Sequence, residues 1–241
     1  MNGITESRLK EILLERLQAV EKRIKAACRR SHRDRSEVTL VAVTKTVGTE
    51  IEALLPSLGV LDLGESRPQE LWRKVGLLPP SVRWHQVGHL QRNKIAATLP
   101  LAHLIHSVDS VRLLNALDQE ADKMHRNIDV LLEVNVSGEV SKHGFRPDEV
   151  SALLKPIGEL KRVQVHGLMT MAPLEQDADH CRPTFSELRR LRDQWGKELP
   201  RGHHLNQLSM GMSNDFEVAI EEGATFVRLG TVLFEGLSKL E

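Results

Sequence analysis

The fold this sequence predicts is an α/β (β/α)8 TIM barrel, and three observations predict it. Eight apolar runs rich in β-branched residues alternate with helix-like segments from residue 38 onward, the pattern of a parallel sheet. Eight is the strand count that closes such a barrel, and the 241 residues are close to the ~250 typical of it. The rival, an open doubly wound sheet, needs a Gly-rich dinucleotide turn after its first strand, and none follows here.

Residues 5–31 open the chain as an amphipathic helix, with Leu9, Ile12, Leu13, Leu17, Val20, Ile24 and Ala27 at helical spacing and a charged opposite face. The basic cluster Arg29–Arg35 reads as a helix end and linker, since cations are favoured near a helix C-terminus; contact with phosphate groups is its other reading. Strands are expected near 38–44, 60–65, 82–88, 103–108, 129–136, 163–171, 204–210 and 225–234. Helices are expected at 49–58, 67–75, 90–97, 110–125, 147–159, 178–196 and 214–222. Asp109 or Ser110 would cap the helix VRLLNAL, and Ser213 the helix NDFEVAI. No low-complexity linker or composition shift divides the chain, so residues 1–241 are expected to form a single domain, with 1–35 as its N-terminal helix and linker.

Bulk composition excludes several classes. Apolar residues make up 40% and aromatics 3%, so the core must be aliphatic. Lys+Arg and Asp+Glu balance at 33 each, without the broad basic field of a nucleic-acid binder. Two cysteines, Cys28 and Cys181, suggest a reducing cytosol and no disulfide framework. The charged N-terminus has no apolar h-region, and no stretch approaches a membrane span, so a cytoplasmic protein is expected. Balanced charge and few aromatics point to a monomer without a large sticky interface.

Strand period 2 then selects candidate site residues. In the first strand Thr39, Val41, Val43 and Lys45 share a face. A lysine at the C-terminal end of a barrel strand lies where barrel enzymes keep their sites, and burial there would make it a nucleophilic amine able to hold an aldehyde as a Schiff base. The bland reading is a lysine that snorkels to solvent. In the last strand Arg228 and Gly230 share a face. An arginine in an otherwise apolar strand must find a hydrogen-bond acceptor, and Gly230–Thr231 adds an unobstructed N–H and a hydroxyl. The turn Ser209–Asn214 offers N–H groups and two serine hydroxyls at the start of a helix, an anion site in the loops where many barrels bind phosphate. Two ordinary turns and a structural salt bridge are the alternative.

These residues carry a resemblance to a known family. AVTKT around Lys45, LGESRPQE at 63–70, WHQVGHLQRNK at 84–94, IHSVDS at 105–110, EVNVSGEVSKHG at 133–144, HGLMTMAP at 166–173, LSMGMSNDFEVAI at 208–220 and VRLGTVLFEG at 227–236 resemble the pyridoxal-phosphate homeostasis proteins, relatives of the N-terminal barrel of bacterial alanine racemase. The resemblance runs from about residue 38 to the C-terminus. It implies that Lys45 forms a Schiff base with pyridoxal 5′-phosphate (PLP). Ser209 and Ser213, with Gly230 and Thr231, would hold the phosphate, and Arg228 would face the pyridine nitrogen. Where the family usually brings an asparagine to the cofactor this chain has Ser66, which would act through water. The implied role is PLP homeostasis, with PLP-dependent apo-enzymes as partners that receive the cofactor.

A permanent cation beside the ring nitrogen disfavours the pyridinium form and makes the cofactor a poorer electron sink. Alanine-racemase-like enzymes also draw a tyrosine from an additional β domain, which this chain is not expected to have; it contains no tyrosine. Both points favour a cofactor holder over a racemase. The rivals are a PLP-dependent racemase or lyase, and a class I aldolase-like barrel whose lysine meets a carbonyl substrate without cofactor.

Other residues have plainer expectations. His85 and His89 are four apart, which marks a metal pair only on a helix; a strand passing into a loop is expected here, so no metal site is, and His85 should make a buried hydrogen bond near the barrel mouth. Asn93 and Lys94 would face the cofactor or cap a helix. Lys142 and His143 would lie in a loop covering the site or in solvent. Glu65 would be a base or neutralise Arg67. Met169 and Met171 should be barrel core, and Cys181 should pack.

Overall fold

The computed structural model describes residues 5–139, 142–173 and 177–237; residues 140–141 of the 133–144 motif therefore lie outside it. Eight parallel strands, β1 (Thr39–Val43), β2 (Asp62–Glu65), β3 (Arg83–Gln86), β4 (Leu104–Val108), β5 (Ile128–Glu133), β6 (Val163–Met169), β7 (Gln207–Ser209) and β8 (Phe226–Leu229), form a closed barrel in sequence order. Closure comes from β1 pairing with β8, with Thr39 opposite Phe226 and Ala42 opposite Leu229. This is the (β/α)8 fold expected.

The helices α1 (Glu6–Arg30), α2 (Thr49–Glu52), α3 (Pro68–Val75), α4 (Ile95–Thr98), α5 (Val111–Lys123), α6 (Leu154–Gly158), α7 (Arg182–Trp195), α8 (Phe216–Glu221) and α9 (Thr231–Phe234) cover the barrel. A large aliphatic layer fills the space between strands and helices, including Leu63, Ile105, Leu114, Leu168, Leu188 and Leu229. Inside the barrel, Leu104, Leu131 and Met169 form a separate small cluster with Phe226 packed against it. Among the described residues no helix is long and apolar enough to cross a membrane.

Helix α1 begins where the Thr5 side chain accepts from the Arg8 N–H, and it ends on Arg29 and Arg30, charges that complement the helix dipole. Its buried stripe, from Leu9 to Cys28, straps the outside of α8 and α9. The basic cluster at its end serves this docking. Arg30 pairs with Glu221, Arg33 donates to the Ile220 and Ala224 carbonyls, and Arg35 pairs with Glu21.

Several expectations need correction. The last strand stops at Leu229, and Thr231–Phe234 turns into helix α9; the apolar run continues through both, so composition alone did not mark the change. Ser213 is not the N-cap of α8, a position taken by Asp215, whereas Ser110 does cap α5. Met171 is 37% exposed instead of core, because β6 ends two residues earlier. Lys94 lies over the Trp72 ring and occupies the N-cap position of α4; neither it nor Asn93 lines the site described next.

Candidate functional site

A cavity of about 440 Å³ opens at the C-terminal ends of the strands, inside the ~300–1,000 Å³ range of small-molecule sites. Lys45, Ser66, Ser213, Arg228, Gly230 and Thr231 all line it. Six of the seven residues singled out in the sequence thus meet in one place. The seventh, Ser209, does not line the cavity. It is fully buried in the barrel, with its hydroxyl engaged by Arg228 and His106.

Lys45 sits two residues past the end of β1, exposed to the cavity instead of buried as expected. Its backbone is braced from behind. Lys74, on α3, is 1% exposed and donates to the Thr44 carbonyl at 3.2 Å. The same ammonium pairs with the buried carboxylates of Glu52 and Glu65, and the Thr44 hydroxyl donates to Glu65 at 2.8 Å. Glu65 therefore neither faces the cavity nor neutralises Arg67. Burial pushes the Glu52 carboxyl up to about 6, against the pull of Lys74.

The turn after β7 supplies the opposite wall. Gly211 has φ +90, and a Cβ there would lie 2.6 Å from the Ala219 Cβ, so only glycine allows this tight approach to α8. The Asp215 carboxylate accepts the Met212 N–H at 2.6 Å. The Ser213 hydroxyl oxygen accepts the N–H groups of Gly230 and Val232 at 3.3 and 3.2 Å, tying the β7 turn to the β8 turn. Its own proton stays free to donate. The backbone N–H groups of Ser213, Asn214 and Thr231 have no acceptor among the described residues, and all three residues line the cavity. Ser213 is half-buried and Asn214 and Thr231 are exposed, so these donors stand open to a group that enters the cavity.

Arg228 forms the inner wall. It is 5% exposed, and burial pushes its guanidinium down to about 10, which leaves it charged at neutral pH. It donates to the Thr170 carbonyl at 2.9 Å and to the Ser209 hydroxyl. A polar chain continues through the barrel: Ser209 to His106 at 2.7 Å, His106 to His85 at 2.9 Å, His85 to Asp62 at 3.0 Å. Burial lowers the pKa of both histidines, so each is neutral and carries one ring proton. With Asp62 accepting, His85 Nε2 must donate to it, and His85 Nδ1 then accepts from His106 Nε2. His106 Nδ1 in turn accepts the Ser209 hydroxyl proton, which leaves the serine oxygen to accept from Arg228. Every donor points the same way, from Arg228 towards Asp62. His85 thus makes the expected buried bond, but within the barrel towards the start of β2 and not at the mouth.

Among the other residues that line the cavity, Glu133, His143 and Cys181 carry titratable groups that were not selected from the sequence as site residues. Glu133, at the end of β5, is 4% exposed. Burial, reinforced by the Asp109 carboxylate, pushes its carboxyl up to about 7. Strand period 2 from Leu131 places Glu133 inward at a strand end, the same signal that found Lys45. His143 reaches the cavity from the loop after β5, as one expectation had it, and stacks on His89. Cys181 is buried among the cavity walls.

The sequence model of the family described as "Alanine racemase, N-terminal domain" matches residues 16–238. The pyridoxal phosphate homeostasis protein of Aquifex aeolicus is 43% identical over 223 residues, 91% of this chain and 96% of that protein. A crystal structure of an unknown protein from Bifidobacterium adolescentis superposes with a TM-score of 0.90 at 34% identity, covering 97% of this chain and 98% of that one. PipY of Synechococcus elongatus with PLP bound superposes at 0.80 and 33% identity, covering 92% and 99%. With the family model spanning most of the chain and such relatives matched almost end to end, this chain belongs to the alanine racemase N-terminal domain family and, within it, to the pyridoxal phosphate homeostasis proteins.

Proposed function

We propose that this chain binds pyridoxal 5′-phosphate in the barrel-mouth cavity, holds it covalently and reversibly on Lys45, and acts in the cytoplasm as a reserve that supplies the cofactor to apo-enzymes. The observation that carries this reading is the meeting, in one cavity, of an exposed amine, a wall of unclaimed N–H donors and a buried guanidinium. These residues fit the group: its aldehyde needs an amine, its phosphate needs donors, and its ring nitrogen needs a polar neighbour.

The bound group supplies an aldehyde that reacts reversibly with amines and a ring able to take up electron density. Lys45 Nζ is the amine for that aldehyde. Ser213, through its hydroxyl and N–H, binds the phosphate together with the N–H of Thr231 and the turn at Gly230. Arg228, held by the Ser209 hydroxyl and the Thr170 carbonyl, would be the polar neighbour of the ring nitrogen, where its charge would disfavour a proton. Ser66 lies at the cavity wall and adds a contact through water. The arrangement favours holding over turnover: Arg228 weakens the electron sink, and the 241 residues contain no tyrosine to serve as a second acid/base. The large exposed apolar residues Leu14, Leu77 and Met171 are scattered, which supports a monomer.

Incubation with PLP, a visible spectrum, borohydride reduction and peptide mapping by mass spectrometry test the reading. A pyridoxyl group on Lys45, absent from Lys45→Ala, is expected. No pyridoxyl group on any lysine would overturn it. Turnover of an amino acid beyond the rate of free PLP would replace the holder with an enzyme. A colourless protein that traps a carbonyl substrate would favour the aldolase-like rival.

A further inference from the structure

We propose that His89, Asp109 and His143 form a binding site for a divalent first-row transition ion of the zinc type at the mouth of the cavity. The three side chains come from the loops after β3, β4 and β5, successive positions around the rim. His89 Nδ1 lies 2.8 Å from Asp109 Oδ2, and His143 Nδ1 lies 3.7 Å from the same oxygen. All three donor atoms lie within 4.8 Å of one another.

Bonds of ~2.0–2.2 Å in a tetrahedral site set neighbouring donor atoms about 3.4 Å apart, and the two measured separations bracket that value. His89 is at hydrogen-bond distance from Asp109, whereas His143 lies beyond hydrogen-bond reach, at ion-pair distance from the same carboxylate. The two rings lie nearly parallel, with centroids 4.4 Å apart and planes at 17°. His143 is 63% exposed, so its ring can turn to aim its lone pair at an ion shared with His89. The second Asp109 oxygen accepts the Ser110 hydroxyl at 3.1 Å, the kind of outer contact that orients a ligating carboxylate.

A separate observation points the same way. Glu133 is 4% exposed, lines the same cavity, and its carboxylate has no hydrogen-bond partner among the described residues. With Asp109 it gives this rim two carboxylates. Two imidazoles and a carboxylate with positions left open are a zinc-type donor set. His89 and His143 both line the cavity, so the open positions face it and would take water or the carboxylate of a small acid. The site does not depend on the binding of PLP.

Untagged protein, stripped with a chelator and free of PLP, is titrated with Zn²⁺ against a chromophoric chelator, in parallel with His89→Ala and His143→Ala. The expected result is one tight equivalent whose affinity falls at least roughly tenfold in each variant, the scale seen for outer-shell partners alone. No tight equivalent, or binding retained in either variant, overturns the proposal. Mapping of the pyridoxyl group on Lys45 in the same variants reports separately on the PLP reading.

Discussion

Lys74→Met tests the brace behind Lys45. Lys74 is 1% exposed and is the cation between the buried carboxylates of Glu52 and Glu65. Removing one partner of a buried ionic group leaves uncompensated charge and costs about 3–5 kcal/mol. The deficit should depend on pH. Even with Lys74 present, the folded-state pKa of Glu52 is raised from 4.5 to about 6. A raised carboxyl favours the folded state fully below its unfolded value, and that favour is lost as pH rises through the folded value, here about 2 kcal/mol. Without the cation the loss is larger and extends to higher pH, so the deficit should grow between about pH 5 and 8. Urea unfolding of both proteins across that range measures it. A deficit below about 1 kcal/mol, or one that does not change with pH, would refute the ionic reasoning. Lys74→Met combined with Glu52→Gln and Glu65→Gln should recover most of the loss, since replacing all charged partners is often neutral. Because Lys74 also holds the Thr44 carbonyl, the single variant should in addition form less pyridoxyl adduct on Lys45 at a given PLP concentration.

Further outcomes follow from the same geometry. Glu133→Gln should stabilise the protein above pH 7 by up to about 3 kcal/mol, because the carboxyl is raised from 4.5 to about 7, and the gain should vanish below about pH 4.5; equal urea midpoints for variant and parent at pH 8 would contradict this. Ser213→Ala removes the acceptor of the Gly230 and Val232 N–H groups. It should cost about 1 kcal/mol in denaturation and weaken PLP binding in a spectral titration. Gly211→Ala, at φ +90 and against the Ala219 Cβ, should lower stability by more than about 1 kcal/mol, visible as a drop in melting temperature.

Much of the site was legible because its signals are local. A strand period of 2 and a position at a strand end suffice to select Lys45, Arg228 and Gly230, and the serine turn selects Ser213. The same locality misassigned Ser209. Its nearness to Ser213 in the chain suggested a shared task, but four residues of tight turn carry Ser213 to the cavity while Ser209 stays inside the barrel. The expected burial of Lys45 failed for a related reason: β1 ends at Val43, and the two residues beyond it carry the amine out to the rim.

The alternating apolar runs of this sequence by themselves determined the parallel barrel, because the alternation of buried strand and amphipathic helix is written residue by residue along the chain. Only the tertiary structure decided what barrel closure brings together. Asp62, His85, His106, Ser209 and Arg228 come from five strands, and Glu52, Glu65 and Lys74 from three elements, so no spacing in the sequence links them. Their pairing is set by burial, which leaves a charged or polar side chain no partner except one the fold brings to it, from a neighbouring element or, as with His106 on β4 and Ser209 on β7, from across the barrel.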